Sequence, residues 1–252
     1  MSRSRGKSYH HGDLKRALLE AARAIIEAEG PDALTFRRLA EAAEVSHAAP
    51  LAHFPDRASL DAAVAARCFR ELKTALEGGE PKPPSFLAAF APSPAAPRPL
   101  LAAHWLAPKE APPSPGVGIN PSSKRLVAAG VAYLQFALEH PGLYRIMSAP
   151  ELSERLRAVD PADRENPLVE LLREKSEAFG VFVGLVREGQ QAGDFRKEVP
   201  ADQAARLFIA LTEGLAQQFL AERPRPSTAR LQDAERSLKL LLAAIESRPA
   251  VR

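Results

Sequence analysis

Of 252 residues only one is cysteine, one tryptophan and two methionine, and aromatic side chains make up 6% of the chain. The lone thiol, Cys68, excludes an internal disulfide and fits a reducing compartment, the cytoplasm. Charge of one sign is not in excess: 34 Lys and Arg face 31 Asp and Glu, a formal +3. No apolar run approaches the ~20 residues of a membrane-spanning helix. The basic stretch Met1 to Lys7 is followed by no apolar segment of the secretory kind. Glycine-rich phosphate loops, a nucleophile elbow and His-Glu-x-x-His spacing are all missing. His10 and His11 are adjacent, so on a helix their side chains point apart. Neither an enzyme nor a metal or cofactor site is expected. Period-two alternation of apolar residues is missing too, which argues against strands.

What remains is an all-α reading. Apolar residues form 46% of the chain and charged residues 26%, the balance of a packed globular protein. The small net charge is unevenly placed. Residues 1–16 hold Arg3, Arg5, Lys7, Lys15 and Arg16 against Asp13, five minus one, or +4. Such an arm can lie along DNA phosphates and release counterions, or simply stay solvated.

The first 77 residues read as four helices. Leu14, Leu18, Ala21, Ala22 and Ile25 form one amphipathic stripe, stopped by Gly30-Pro31. Thr35 caps a short helix with Phe36, Leu39, Ala40 and Ala43 on one face. After Glu44-Val45, Ser46 is placed to cap a third helix that ends at Phe54-Pro55. Asp56 caps a fourth carrying Leu60, Val64, Cys68, Leu72 and Leu76, closed by Gly78-Gly79. Two short helices joined by a tight turn make a helix-turn-helix over about 35–54. The third helix bears mainly His47, Ala48, Ala49, Ala52 and His53. These are small or polar residues that let a backbone lie close in a major groove about 12 Å wide.

Three runs in this head carry a family resemblance: Leu34 to Ala40, Val45 to Pro50, and His53-Phe54-Pro55-Asp56-Arg57-Ala58-Ser59-Leu60. In order and spacing they resemble the tetracycline-repressor (TetR) family of bacterial transcription regulators. The resemblance implies an all-α homodimer with a DNA-binding head at 12–72 and a helical effector-binding and dimerisation body at 123–248. It implies a near-palindromic double-stranded operator, a small-molecule effector that releases it, and no membrane. By position, Thr35, Arg37 and Arg38 would reach phosphates. Ser46, His47, Ala48 and Ala49 would face base edges beside Leu51. His53 and Arg57 would contact phosphate from the helix ends. Two departures stand out. Leu51 replaces an aromatic, removing a hydroxyl donor to phosphate, and Glu44 replaces the usual turn glycine. If that position needs positive φ, Glu costs about 1 kcal/mol. These departures motivate an alternative: a ligand- or protein-binding helical dimer with lost or altered operator binding.

Residues 78–122 contain twelve of the 23 prolines and read as an irregular insertion, with an apolar island from Leu100 to Ala107 around Trp105. The body then shows stripes at Leu126 to Ala137, Leu168 to Val186 (closed by Gly189 and Gly193-Asp194-Phe195), Ala204 to Phe219, and Leu231 to Ile245. The run His140 to Met147 resembles a C-terminal type found among TetR relatives. That type usually carries Trp and His near Ile209 and Glu213, so its ligand does not transfer. Trp105, Tyr133, Phe136, Tyr144, Phe179 and Phe182 are the candidate effector-pocket residues; each also suits an ordinary core. Gly180 and Gly184, four apart, suit close helix pairing between protomers.

Overall fold

The computed structural model describes residues 11–77, 120–221, 228–243 and 245–246. Arg3, Arg5, Lys7, His10, Trp105 and nearly all of the proline-rich stretch lie outside them, as does Gly78-Gly79. Among the described residues the chain is all-α, with a lone bridge between Phe195 and Glu246. The helices are α1 (His11–Glu29), α2 (Phe36–Ala42), α3 (Ala49–His53), α4 (Arg57–Glu77), α5 (Pro121–Glu139), α6 (Pro141–Met147), α7 (Pro150–Ala158), α8 (Pro167–Ala192), α9 (Ala201–Ala221) and α10 (Thr228–Ala243). No described helix is long and apolar enough to cross a membrane.

Local chemistry sets most boundaries. Gly30, at φ 90°, ends α1 in a conformation that suits glycine, and its N–H reaches the Ile26 carbonyl at 2.9 Å. Thr35 caps α2: its hydroxyl accepts the Arg38 N–H at 3.2 Å. Asp56 caps α4, its carboxylate accepting both the N–H and the hydroxyl of Ser59 at 2.7 Å. Four body helices, α5 to α8, start on proline, where the missing N–H costs nothing. Asn120 and Asn166 cap α5 and α8 just before those prolines. Proline thus opens the body at residue 121, within the stretch expected to be irregular.

Two sequence expectations are corrected, and one helix stands where none is expected. Ser46 does not cap α3, which starts at Ala49 behind a turn in which the Ser46 carbonyl accepts the Ala49 N–H at 3.0 Å. Gly189 does not end α8. It lies inside the helix because its missing side chain leaves room for the buried Phe195 ring; a Cβ there would sit 2.3 Å from that ring. α8 ends at Gly193, φ 83°, the second of the two stops expected there. The short α7, between Ala149-Pro150 and the polar loop at 160–166, has a single buried residue, Leu152, and so too weak a stripe to be read.

The head packs α1, α2 and α3 around Leu18, Ala22, Leu34, Leu39 and Phe54, all fully buried. α4, about 30 Å long at 21 residues, continues from that core into the body, where it lies along α8. Its stripe of Leu60, Val64, Cys68, Leu72 and Leu76 is buried as expected. Arg70 on α4 donates to Glu174 at 2.8 Å and Glu170 at 2.9 Å on α8. Lys73 adds Glu177 at 2.9 Å. Burial would raise the Glu174 carboxyl, but the guanidinium groups of Arg70 and Arg173 outweigh it and hold the group below the usual carboxylate range.

Candidate DNA-binding surface and body cavity

The α2–turn–α3 unit is anchored from inside. Pro50 and Phe54 are buried, while Thr35, Arg37, Arg38, Ser46, His47, Ala48 and Leu51 are exposed on the outer side. Ala49 and His53 are half-buried. The exposed arginines are held only by surface partners. Arg37 Nε donates to Glu41 at 3.0 Å, and Arg38 pairs with Glu29. Such pairs contribute about 0–1 kcal/mol, so either guanidinium can exchange its carboxylate for a phosphate at little cost.

The turn between α2 and α3 carries the backbone strain that Glu44 foreshadows. Glu44 sits at φ 54°, the sole non-glycine residue at positive φ among the described residues. The geometry around it is a Schellman closure: Val45 N–H to Ala40 O at 3.0 Å and Glu44 N–H to Glu41 O at 3.2 Å. Glutamate therefore occupies the left-handed position where glycine is unstrained. Glu44→Gly should stabilise the protein by about 1 kcal/mol. A thermal melt checks this, with a rise of roughly 2–4 °C expected.

Arg57 is part-buried, its side chain 41% exposed, and is held by partners within the chain. Its Nε donates to Asp61 at 2.8 Å, one terminal nitrogen to the Pro31 carbonyl at 2.9 Å, and the other to the Leu34 carbonyl. The side chain straps the start of α4 to the segment that leads into Thr35 and α2. The capped α4 N-terminus is also occupied, by Asp56, whose hydrogen bonds from Ser59 hold its carboxyl below the ordinary range.

Head and body are joined by more than α4. Gly142, the second residue of α6, lies against α1: a Cβ there would meet the Ile26 carbonyl oxygen at 2.8 Å. Around this contact, acids of the head face bases of the body. Glu27 lies 2.9 Å from Nδ1 of buried His140, Asp32 lies 3.6 Å from Arg145, and Asp56 lies 3.3 Å from Arg155.

The described aromatics of the body pack on neighbouring side chains. Tyr133 donates to the Glu213 carboxylate at 3.3 Å, and Tyr144 reaches the Glu213 carbonyl at 3.5 Å. The two rings meet edge-on, 6.3 Å apart. Burial, reinforced by the Glu213 charge, pushes the Tyr144 hydroxyl up to about 12 and raises Tyr133 as well. Phe182 packs on Phe208, Phe136 on His140, and Phe179 beneath Arg206. A cavity of about 300 Å³ instead opens between α4, α5 and α8, walled by Leu76, Ala129, Ala132, Val181 and Leu185. The ion pair of Arg125 and Glu188 borders it. Periodicity could not reveal this cavity, because small side chains such as Ala129 and Ala132 read as core. Cys68 is buried, with its thiol pushed up to about 12 by burial and the Glu71 charge, so it is an inert thiol. Among the described residues no cluster of His, Cys, Asp or Glu could hold a metal.

Two family descriptions match the chain: "Bacterial regulatory proteins, tetR family" over residues 18–64, and "Tetracyclin repressor-like, C-terminal domain" over residues 126–245. The chain belongs to the TetR family. Its members are DNA-binding regulators, not enzymes. The TetR N-terminal match runs from α1 into α4 and contains the whole helix-turn-helix; the C-terminal match runs from α5 through α10. Residues 65–125 lie in neither, so the far end of α4 and the proline-rich stretch fall outside both TetR matches.

Solved structures agree on the fold. A Rhodococcus sp. RHA1 protein of unknown function is 25% identical, with a TM-score of 0.60 over 96% of this chain and 100% of its own. A TetR-family regulatory protein from Rhodococcus RHA1 is 17% identical, TM-score 0.55, covering 94% and 98%. The TetR-family regulator PfmR from Thermus thermophilus is 16% identical, TM-score 0.53, covering 90% and 97%. No curated protein matches the chain.

Proposed function

We propose that the protein is a cytoplasmic, homodimeric repressor whose two heads read adjacent major grooves of a near-palindromic operator and let go when a small molecule enters the body. The observation that carries this reading is the α2–turn–α3 unit, anchored by buried Leu39, Ala40, Pro50 and Phe54 while Thr35, Arg37, Arg38, Ser46, His47, Ala48 and Leu51 are exposed. The head is taken as 12–72, the linking segment as 78–122 and the body as 123–248. Arg37, Arg38 and Thr35 engage phosphates from α2, and His53 does so from the end of α3. Ser46, His47, Ala48 and Ala49 face base edges, with Leu51 beside them. Arg57 acts by holding α2 in place, as its three internal hydrogen bonds indicate.

The effector takes the cavity between α4, α5 and α8. α4 lends it Leu76 at one end and carries the head at the other, so an occupant that displaces α4 moves the reading surface. Dimerisation uses α8 and α9. Gly180 and Gly214 have no atom within 4 Å of where a Cβ would stand, and Leu207 is 54% exposed, which leaves a partner helix free to approach closely; Gly184 opens instead onto the cavity.

Gel shifts with DNA from upstream of the coding region test the reading. Affinity should fall steeply with salt, as phosphate contacts require. Arg37→Gln should flatten that dependence by about one counterion, whereas Arg57→Gln should weaken binding without flattening it. The His47→Ala, His53→Ala double variant should bind more weakly. Binding that is absent or insensitive to salt would favour the alternative, a ligand- or protein-binding dimer, which the strain at Glu44 favours.

A further inference from the structure

Large apolar side chains are exposed at three described positions, Leu51, Leu207 and Leu240. Leu207 lies on α9, on the side offered to the second protomer. Leu51 is different, because it stands on the outer face of α3 at 51% exposure. Ala48 and Ala52 are exposed with it, and the three positions stand at i, i+3 and i+4, one side of a helix. Pro50 and Phe54 take the opposite, buried side. The outward stripe of the reading helix therefore has methyl groups and no side-chain donor or acceptor.

A stripe of this kind cannot read the hydrogen-bonding pattern of base edges. The major-groove feature it can recognise is the C5-methyl of thymine, the one apolar group displayed there. Ala48 and Ala52 are short enough to let the backbone come close, and Leu51 has the longest reach of the three. Ser46 and His47, exposed just ahead of α3, supply polar contacts beside it. We propose that Leu51 is a specificity-determining residue that packs on a thymine methyl in each operator half-site. The proposal rests on α3 being the recognition helix.

Deoxyuridine isolates the effect, since it pairs as thymidine does and lacks only the methyl. The full chain is first used to enrich duplexes from a random pool. The enriched site is then remade with deoxyuridine in place of each thymine in turn. One thymine per half-site should show about a fourfold loss of affinity, and roughly fifteenfold when both half-sites are changed. Leu51→Ala should abolish that penalty at the same thymine, and Leu51→Met should keep it, with thermal melting unchanged in both. Swaps that all stay within twofold, or a penalty that persists in Leu51→Ala, would overturn the proposal while leaving operator binding intact. A pool that yields no enriched duplex at low salt would overturn the DNA-binding reading and this proposal together.

Discussion

Phe54→Ala should lower the melting temperature by roughly 6–20 °C and abolish operator binding at concentrations where the native chain is saturated. Phe54 is fully buried, closes α3, and belongs with Leu18, Leu39 and Leu60 to the buried cluster of the head. Its N–H reaches the Pro50 carbonyl at 2.8 Å, so ring and backbone both fix the end of the reading helix. Removing a buried phenyl ring costs about 3–5 kcal/mol, and in a chain of this size each kcal/mol lowers the midpoint by roughly 2–4 °C. α3 spans only five residues and cannot sustain itself without that anchor. Calorimetry and a gel shift on one preparation check both parts. A melting curve unchanged within 2 °C would show that Phe54 is not the anchor described here.

Gly142→Ala carries the second large effect. The added Cβ meets backbone, the Ile26 carbonyl oxygen at 2.8 Å, and also the Ile26 side chain at 2.9 Å. A carbonyl inside a helix cannot swing aside, so α6 and α1 must separate. Overpacking of this kind costs about 1–3 kcal/mol. The contact joins head to body, so the variant should also show altered operator affinity at temperatures well below its melt. A melting temperature equal to that of the native chain would refute the account.

The sequence made the head legible because its signals are local. Thr35 and Asp56 cap the helices expected of them, and Glu44 has the positive φ that its replacement of glycine anticipated. Ser46 misled because a cap and a turn residue share the same chemistry; the hydrogen bonds of Ala49 decide between them, and those depend on three dimensions. Arg57 was expected at phosphate. Its partners, Pro31 and Leu34, are more than twenty positions away, a pairing that periodicity does not carry. Glu213 was marked only by what it replaces. Its place against Tyr133 and Tyr144 depends on three helices meeting, α5, α6 and α9. The cavity escaped for the same reason, since no single stripe outlines a space shared by three helices.

The acids of the head that face bases of the body make the joint itself responsive to ionic strength, and in a fixed sequence. Asp32 is 89% exposed and Arg145 62%, while Asp56 and Arg155 are each 53% exposed, so both links lie in water and are screened at moderate salt. The link from Glu27 to buried His140 is shielded and persists. As salt rises, these two exposed links should therefore weaken before the contact at buried His140 does. A salt titration of the proposed DNA binding would therefore combine two screened effects, counterions leaving the DNA and the weakening of the outer links between head and body.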